Sequence, residues 1–157
     1  MTKAVFCGTF DPVTKGHIDI IERACRIFDT VIVFVSVNSE KTMMFSKEQR
    51  LEWLRQATAH LENVMCKETE GLTVDACKKE GATILIRGLR NSIDFSYEQN
   101  MASMNQLIDP SLETICLYTK PEYAICSSSN VKELLKYHLD ASALVPACVW
   151  NDLKEAR

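Results

Sequence analysis

The sequence predicts an α/β fold in which a five-stranded parallel sheet is covered by helices on both faces. Short runs rich in Val and Ile alternate with longer segments of helical periodicity, the order expected of βα units. The short runs are mostly apolar throughout, as in parallel strands buried on both faces. No repeat, low-complexity tract or Pro/Gly-rich linker divides the 157 residues, 46% of which are hydrophobic, so we expect one domain spanning 1–157.

The predicted strands cover residues 3–7, 31–37, 64–67, 83–86 and 113–117. After the first strand, apolar residues recur at three- and four-residue steps from Ile18 to Phe28 and indicate a helix. The segment 46–49, Ser-Lys-Glu-Gln, resembles the capping box that starts a helix. Gly81 is placed to end a helix over 72–80.

The longest helix is expected over about 95–107, because Asp109-Pro110 follows as a stop. A later helix is indicated by the apolar spacing of residues 131, 134 and 135, and Pro146 is suited to open the last one. Right-handed crossovers between these strands give a doubly wound, Rossmann-like sheet, whose ligands bind beyond the carboxyl ends of the strands. The loops after the first, second, fourth and fifth strands are therefore the candidate sites.

The composition excludes several classes of protein. With 18 basic and 21 acidic residues the net charge is −3, which argues against a broadly basic nucleic-acid-binding protein. No apolar run approaches the roughly 20 residues that cross a bilayer. The first residues lack the apolar core of a signal peptide, so we expect a cytoplasmic protein with no membrane partner. The seven cysteines form no C-x-x-C pair and are expected to be reduced core residues rather than zinc ligands.

The first candidate loop, residues 8–17, reads GTFDPVTKGH and leads into a helix. Glycine lets backbone N–H groups approach a ligand, and a helix N-terminus presents unpaired N–H donors, so a phosphate fits here. His17 could donate a hydrogen bond to that phosphate. As isolated features, Gly8 and Gly16 could serve turn geometry alone. The whole decapeptide, however, resembles the G-[ST]-F-D-P-x-T-x-G-H signature of the nucleotidyltransferase superfamily, which favours the phosphate site.

Two later loops carry positive charge. Lys41 follows the second predicted strand, and the sequence RGLR at 87–90 follows the fourth. The planar guanidinium of arginine suits phosphate oxygens, and Gly88 lets the backbone approach as well. An exposed turn would explain the same residues, so this segment alone leaves both interpretations open.

Three serines, at positions 127–129, precede a predicted helix and gather hydroxyl and amide donors at its N-terminus. Asn130 and Glu133 could cap that helix by themselves, which would leave the serines for ligand contacts. An ordinary serine-rich loop is the alternative. No P-loop, G-x-G-x-x-G turn or H-E-x-x-H pair is present.

Together these loops resemble bacterial pantetheine-phosphate adenylyltransferases, a branch of the nucleotidyltransferase superfamily. The resemblance covers nearly the whole chain, and its most specific part is IRGLR at 86–90 followed by DFSYE at 94–98. It departs mildly at Phe6-Cys7, where many members have an aromatic residue followed by proline, and at Thr73, which is more often apolar. The resemblance implies a single nucleotidyltransferase domain.

The resemblance also implies roles for individual residues. It makes His17 the catalytic residue, which stabilises the transition state. The implied ATP-binding residues are Thr9, Phe10, His17, Gly88, Leu89, Arg90, Glu98, Tyr123, Ala124, Ile125, Cys126, Ser127, Ser128 and Ser129. The implied contacts with 4′-phosphopantetheine are Thr9, Lys41, Thr73 and Arg87.

The implied reaction transfers the adenylyl group of ATP to 4′-phosphopantetheine by direct in-line attack, giving dephospho-coenzyme A and pyrophosphate. Mg²⁺ is expected to be carried with ATP, and no residue is assigned as a metal ligand. The resemblance further suggests a homohexamer and feedback inhibition by coenzyme A, neither of which can be read from the sequence pattern.

Two other functions remain open at this stage. A cytidylyltransferase or a nicotinamide-mononucleotide adenylyltransferase shares the T-x-G-H segment but typically has arginine where Lys132 stands. A nucleotide-sensing module would bind ATP through the same loops without turnover. Pyrophosphate release with phosphopantetheine as acceptor distinguishes these functions.

Overall fold

The computed structural model describes residues 1–37 and 42–156 and contains five strands in one sheet. The strands are β1 (Lys3–Gly8), β2 (Thr30–Val37), β3 (Val64–Glu70), β4 (Ile84–Leu89) and β5 (Glu113–Tyr118). Their order is β3-β2-β1-β4-β5, and every neighbouring pair is parallel. The predicted single-domain, doubly wound α/β fold is confirmed.

Each crossover between successive strands contains a helix, as parallel pairing requires. These helices are α1 (Lys15–Cys25), α2 (Lys47–Ala57), α3 (Thr73–Glu80) and α4 (Ser92–Ile108). Two more, α5 (Ser128–Lys136) and α6 (Ala147–Glu155), follow β5. Within the described ranges the helices are too short or too polar to cross a membrane.

Alternate residues of each strand pack on opposite faces of the sheet, which places apolar layers on both sides. On one face, Phe6 of β1 and Val33 of β2 pack with residues of α1, α2 and α6. On the other face, Val5 and Ile32 of the same strands pack with Val74 of α3. These two layers explain why the central strands are apolar throughout.

Several element ends differ from the sequence prediction. β4 runs to Leu89, so Arg87 and Gly88 lie in the strand and not in the loop after it, because β4 continues to pair with β5 as far as Tyr118. α4 begins at Ser92 rather than near residue 95, since the Asn91 side chain accepts a hydrogen bond from the Asp94 N–H and caps the helix there.

Of two predicted helix caps, one is corrected and one is confirmed. At the start of α5, Ser127 is the N-cap and accepts from the Asn130 N–H, so the predicted Asn130–Glu133 cap is wrong, and two of the three serines lie in the helix. At the start of α2, Ser46 caps the helix as predicted by accepting from the Gln49 N–H.

The cysteines form no disulfide, and all seven lie in the described ranges. Cys7, Cys77 and Cys126 are buried, as expected of core residues, whereas Cys116 is exposed on the edge strand β5. Burial raises the pKa of the Cys77 thiol to about 12. The buried thiols are therefore packing groups at neutral pH.

The strand order reverses at β1, because the chain moves from β1 to β2 and β3 on one side and returns to β4 on the other. The loops that leave β1 and β4 therefore diverge and open a crevice at the carboxyl edge of the sheet. The residues that the sequence singles out lie at this edge.

Candidate active site

Two adjoining cavities lie at the carboxyl edge of the sheet. The first, of about 300 Å³, is lined by the loop after β1 and the starts of α1 and α5. The second, of about 280 Å³, is lined by the ends of β1 and β2 and by α4. Both are lined by Cys7, Gly8, Thr9, Arg87 and Glu98. Groups bound in the two cavities can meet at this shared wall.

Most of the predicted site residues line these cavities. The predicted ATP-binding residues in the first cavity are Thr9, Phe10, His17, Gly88, Arg90, Glu98, Tyr123, Cys126, Ser127, Ser128 and Ser129. Leu89 is buried and does not line either cavity, and Ala124 and Ile125 are exposed away from them. The second cavity contains Thr9, Thr73 and Arg87, while Lys41 lies outside the described residues.

His17 is held by the cap of its own helix. The Thr14 N–H donates to His17 Nδ1 at 3.0 Å, and the His17 N–H donates to Thr14 Oγ1 at 3.3 Å, which makes a reciprocal capping box. Nδ1 is thus an acceptor, so the neutral ring carries its proton on Nε2. Burial, with the positive charges of Arg87 and Arg90, lowers the pKa of His17 to about 4. His17 is therefore a neutral hydrogen-bond donor at pH 7.

Phe10 fixes the other side of the imidazole. Its ring packs edge-on against His17, with 4.9 Å between centroids, and against Phe6 at 5.5 Å. The same ring lies over Gly8, where an added Cβ would approach it to 3.1 Å. Phe10 itself has a φ of 46°, a left-handed conformation that is rare outside glycine. The turn after β1 is thus held by packing in a strained backbone conformation.

The serine segment is tied to the turn that carries His17. Ser128 Oγ donates to the Pro12 carbonyl at 2.8 Å, and Thr14 Oγ1 donates to the Cys126 carbonyl at 3.1 Å. Gly16 lies close to the same segment, since a Cβ there would be 3.2 Å from the Cys126 carbonyl oxygen. The N-termini of α1 and α5 therefore face one cavity, and both favour an anion there.

Arg87 and Glu98 form a two-point ion pair at the shared wall. Arg87 Nε and Nη2 donate to the two carboxylate oxygens at 2.7 and 2.8 Å, and Nη1 donates to the Cys7 carbonyl at 2.7 Å. Burial acts to lower the pKa of Arg87, but the bonds and charge of Glu98 outweigh it and raise that pKa. Three of the five guanidinium N–H groups are used, which leaves two for a phosphate.

Arg90 and Asp94 form a second pair beside the first cavity. Arg90 Nε donates to Asp94 Oδ2 at 2.9 Å, and the Arg90 N–H donates to the same oxygen at 3.1 Å. Burial acts to raise the pKa of Asp94, but the Arg90 bonds outweigh it and lower that pKa. Among the described residues, no group of three or more His, Cys, Asp or Glu side chains is placed to hold a metal ion.

Comparison with known proteins agrees with this geometry. The family described as cytidylyltransferase-like matches residues 5–134. The chain is 44% identical over 155 residues to a phosphopantetheine adenylyltransferase of Shouchella clausii, covering 99% of this chain and 98% of that protein. It is 46% identical over 149 residues to the enzyme of the same name from Levilactobacillus brevis, covering 95% and 92%.

The chain belongs to the phosphopantetheine adenylyltransferase family. The resemblance stated from the sequence motifs is thereby confirmed. A solved structure described as a nicotinate-nucleotide adenylyltransferase from Vibrio parahaemolyticus has a TM-score of 0.72 with 19% identity, covering 98% of this chain and 91% of that one. At 19% identity, this likeness shows that the two chains share a fold and no more.

Three charged residues that lie in the turn after β1 or bond to it have no role assigned from the sequence: Asp11, Arg50 and Lys132. Asp11 is 1% exposed and accepts from the Met44 and Phe45 N–H groups, and Lys132 Nζ lies 3.2 Å from it. Arg50 is 2% exposed inside α2. The spacing of residues in the sequence could have predicted the burial of Arg50. It precedes the apolar residues 53 and 54 by three and four positions and so lies on the same face of the helix.

Proposed function

We propose that this chain transfers the adenylyl group of ATP to 4′-phosphopantetheine, giving dephospho-coenzyme A and pyrophosphate. The observation that carries this proposal is the wall shared by two cavities of similar size, on which Thr9 and Arg87 lie. The first cavity suits the nucleotide, because His17 and two helix N-termini supply donors for phosphates. The second suits an acceptor phosphate, because Thr9 and Arg87 line it as well. The family membership supports the same substrates.

In this mechanism an oxygen of the acceptor phosphate attacks the α-phosphorus of ATP, and the bond from that phosphorus to the pyrophosphate oxygen breaks. The acceptor is already an anion, so no residue has to remove a proton. The requirement is to bring two anions together and to stabilise the charge that develops between them. His17 Nε2, Arg87 and Arg90 supply hydrogen-bond donors and positive charge for this purpose.

Mg²⁺ supplies further charge neutralisation when it is bound to the triphosphate. Phosphate oxygens and water are the ligands that Mg²⁺ prefers in nucleotide sites. The carboxylates that line the first cavity, Asp94 and Glu98, are paired with Arg90 and Arg87, which fits a cation held mainly by ATP and water. The residues of this chain then bind and orient the oxygens that the cation leaves free.

A pyrophosphate-release assay tests the function. ATP with 4′-phosphopantetheine is expected to turn over at least about a hundredfold more efficiently than ATP with nicotinamide mononucleotide or glycerol phosphate, or than CTP with any acceptor, since an ill-fitting acceptor leaves charged groups unpaired. Comparable turnover with nicotinamide mononucleotide would contradict the assignment. ATP binding without any pyrophosphate release would indicate a nucleotide sensor.

We also propose that the enzyme is a cytoplasmic homohexamer inhibited by coenzyme A. The exposed apolar side chains of α4 support association between copies, since Ile93 is 80% and Leu107 is 77% exposed. Light scattering should give six chains per particle, and a monomer would refute the hexamer.

The free thiols support a reducing compartment such as the cytoplasm. Coenzyme A, as the expected inhibitor, should compete with phosphopantetheine in the pyrophosphate-release assay.

A further inference from the structure

Arg50 is a buried cation next to the turn that follows β1. It lies in α2, is 2% exposed and lines neither cavity. Nη1 donates to the Thr9 carbonyl at 2.6 Å and to the Ser36 carbonyl at 3.1 Å, so one nitrogen bridges the ends of β1 and β2. Thr9 and Ser36 both line the second cavity, and Thr9 also lines the first.

Burying this guanidinium is expensive. Among the described residues no carboxylate lies within ion-pair distance of Arg50, and its Nε is buried without a partner there. Burial lowers the pKa of the group, opposed by the charges of Asp11 and Glu48, but a guanidinium remains protonated in proteins. Replacing a buried charge by an apolar side chain of similar volume is often neutral or stabilising, so packing alone is a weak reason for arginine here.

The hydrogen bond from Arg50 to the Thr9 carbonyl also fixes the direction of the Phe10 N–H. The peptide bond between Thr9 and Phe10 is trans, so its C=O and N–H point in opposite directions. The Thr9 carbonyl points at Arg50, which lines neither cavity, so the N–H of Phe10, a residue that does line the first cavity, points away from Arg50. That N–H has no acceptor among the described residues. A buried backbone donor of this kind is suited to a phosphate oxygen.

The same peptide needs external support. Phe10 has a φ of 46°, which an aromatic residue does not adopt without compensating contacts. The Phe10 ring packs against His17 and Phe6, which fixes the side chain. Arg50 holds the carbonyl of the preceding residue, Thr9. Without the guanidinium, the Thr9–Phe10 peptide is free to rotate toward a less strained conformation.

We propose that Arg50 is a positioning residue of the transfer reaction, which holds the Thr9–Phe10 peptide so that the Phe10 N–H meets a phosphate of the bound nucleotide. Arg50 acts through this peptide and does not touch the substrate. The inference rests on the proposed function, since it takes ATP as the phosphate source. It adds a residue of α2 that lines neither cavity to the residues of the other elements that do line them.

The test compares Arg50→Met, which removes the donors, with Arg50→Lys, which keeps the charge but loses the planar fork. Asn63→Ala is the matched control, because the Asn63 amide also bridges two carbonyls, those of Cys25 and Phe28, but away from both cavities. Melting temperature, ATP affinity by calorimetry, and kcat per ATP-binding site are measured for each variant.

Arg50→Met should lower kcat at least fivefold and weaken ATP binding, with Arg50→Lys between it and the wild type. Asn63→Ala should lower the melting temperature and leave kcat within twofold of wild type.

A fall in kcat of less than fivefold in folded Arg50→Met would overturn the proposal. If Arg50→Met does not fold, Arg50→Lys decides, and wild-type kcat and ATP affinity in that variant would overturn it. A wild type that releases no pyrophosphate refutes the function instead, and the ATP titrations still test Arg50.

Discussion

His17 combines two interactions that are usually made by different residues. It completes the capping box of α1 through Nδ1, and the same bond leaves the Nε2 proton free to be donated in the first cavity. Nδ1 accepts from the Thr14 N–H and Nε2 carries the proton, so the neutral ring has no free lone pair with which to take a proton from a substrate. A pKa near 4 also leaves almost none of the ring protonated to act as an acid at neutral pH. The residue is therefore suited to stabilise charge rather than to move a proton.

Replacing His17 should affect the chemical step. His17→Ala is expected to lower kcat on the order of a hundredfold with little change in ATP affinity, because the donor gains strength only as charge develops on the α-phosphate. Steady-state kinetics and ATP calorimetry measure the two effects separately. A variant weakened only in ATP binding would make His17 an ordinary ground-state contact.

The low pKa of His17 also predicts a dependence of stability on pH. The unfolded chain takes up the His17 proton near pH 6.5, while the folded chain resists it until about pH 4. The contribution of the neutral His17 to the free energy of unfolding is therefore complete above about pH 6.5 and is lost as the pH falls toward 4. Urea unfolding at pH 7 and 4.5 should show a larger loss for wild type than for His17→Gln. Equal losses would contradict the buried neutral imidazole.

At the level of elements, β4 and α4 carry charged residues that line the two cavities differently. Arg87 lines both cavities, whereas Arg90, just beyond the end of β4, lines only the first. The Arg87–Glu98 pair joins the strand to the helix, and Glu98 is the one residue of α4 that is buried. This division leads to different expected effects on the two Michaelis constants.

Loss of Arg87 should raise KM for phosphopantetheine more than KM for ATP, and loss of Arg90 should do the reverse. A charge-assisted contact is worth about 1.5–3 kcal/mol, or roughly ten- to a hundredfold in KM. Arg87→Ala alone would leave Glu98 buried without a counter-charge and cost about 3–5 kcal/mol of stability. The kinetics are therefore measured on Arg87→Ala/Glu98→Gln, with Glu98→Gln alone as its reference because Glu98 is itself an expected ATP contact, and on Arg90→Ala against the wild type. Equal effects of both variants on both substrates would disprove the division.

The first turn of α5 separates capping from ligand contact among three adjacent serines. Ser127 is the cap, Ser128 is bonded to Pro12, and Ser129 is exposed at the cavity. Ser127→Ala should reduce the free energy of unfolding by about 1 kcal/mol, the usual value of a lost N-cap. Ser129→Ala should leave it unchanged and raise KM for ATP. Urea titrations and kinetics on both variants check this, and a reversed pattern would refute it.

At the scale of the whole molecule, the sheet brings two cavities together along one shared set of lining residues at its carboxyl edge. The turn after β1 lies at the point where the strand order reverses, so both cavities have access to it. This arrangement favours attack of one substrate directly on the other. A covalent intermediate on a serine needs an adjacent general base, and Ser127 and Ser128 are already bonded to backbone groups.

We therefore expect inversion of configuration at the α-phosphorus when chiral α-thio ATP is the substrate. Phosphorus NMR of the product gives the configuration, and mass spectrometry of protein incubated with ATP alone should detect no adenylylated peptide. Retention of configuration, or a stable adenylyl serine, would mean two displacements and a different role for the serine segment.

The sequence by itself determined the order of strands and helices, the fold class and the family, because periodicity and the motifs at 8–17 and 86–98 are local properties of the chain. Tertiary structure alone decided the partners of the charged side chains. The Arg87–Glu98 pair joins residues of a strand and a helix that are 11 positions apart in the sequence, and Arg50 bonds to Thr9, which is 41 positions away. Strand pairing also carried β4 past its apolar run, since backbone hydrogen bonds to β5 form whatever the side chains are. Burial of a charge depends on which surfaces the fold brings together, and no local spacing fixes that.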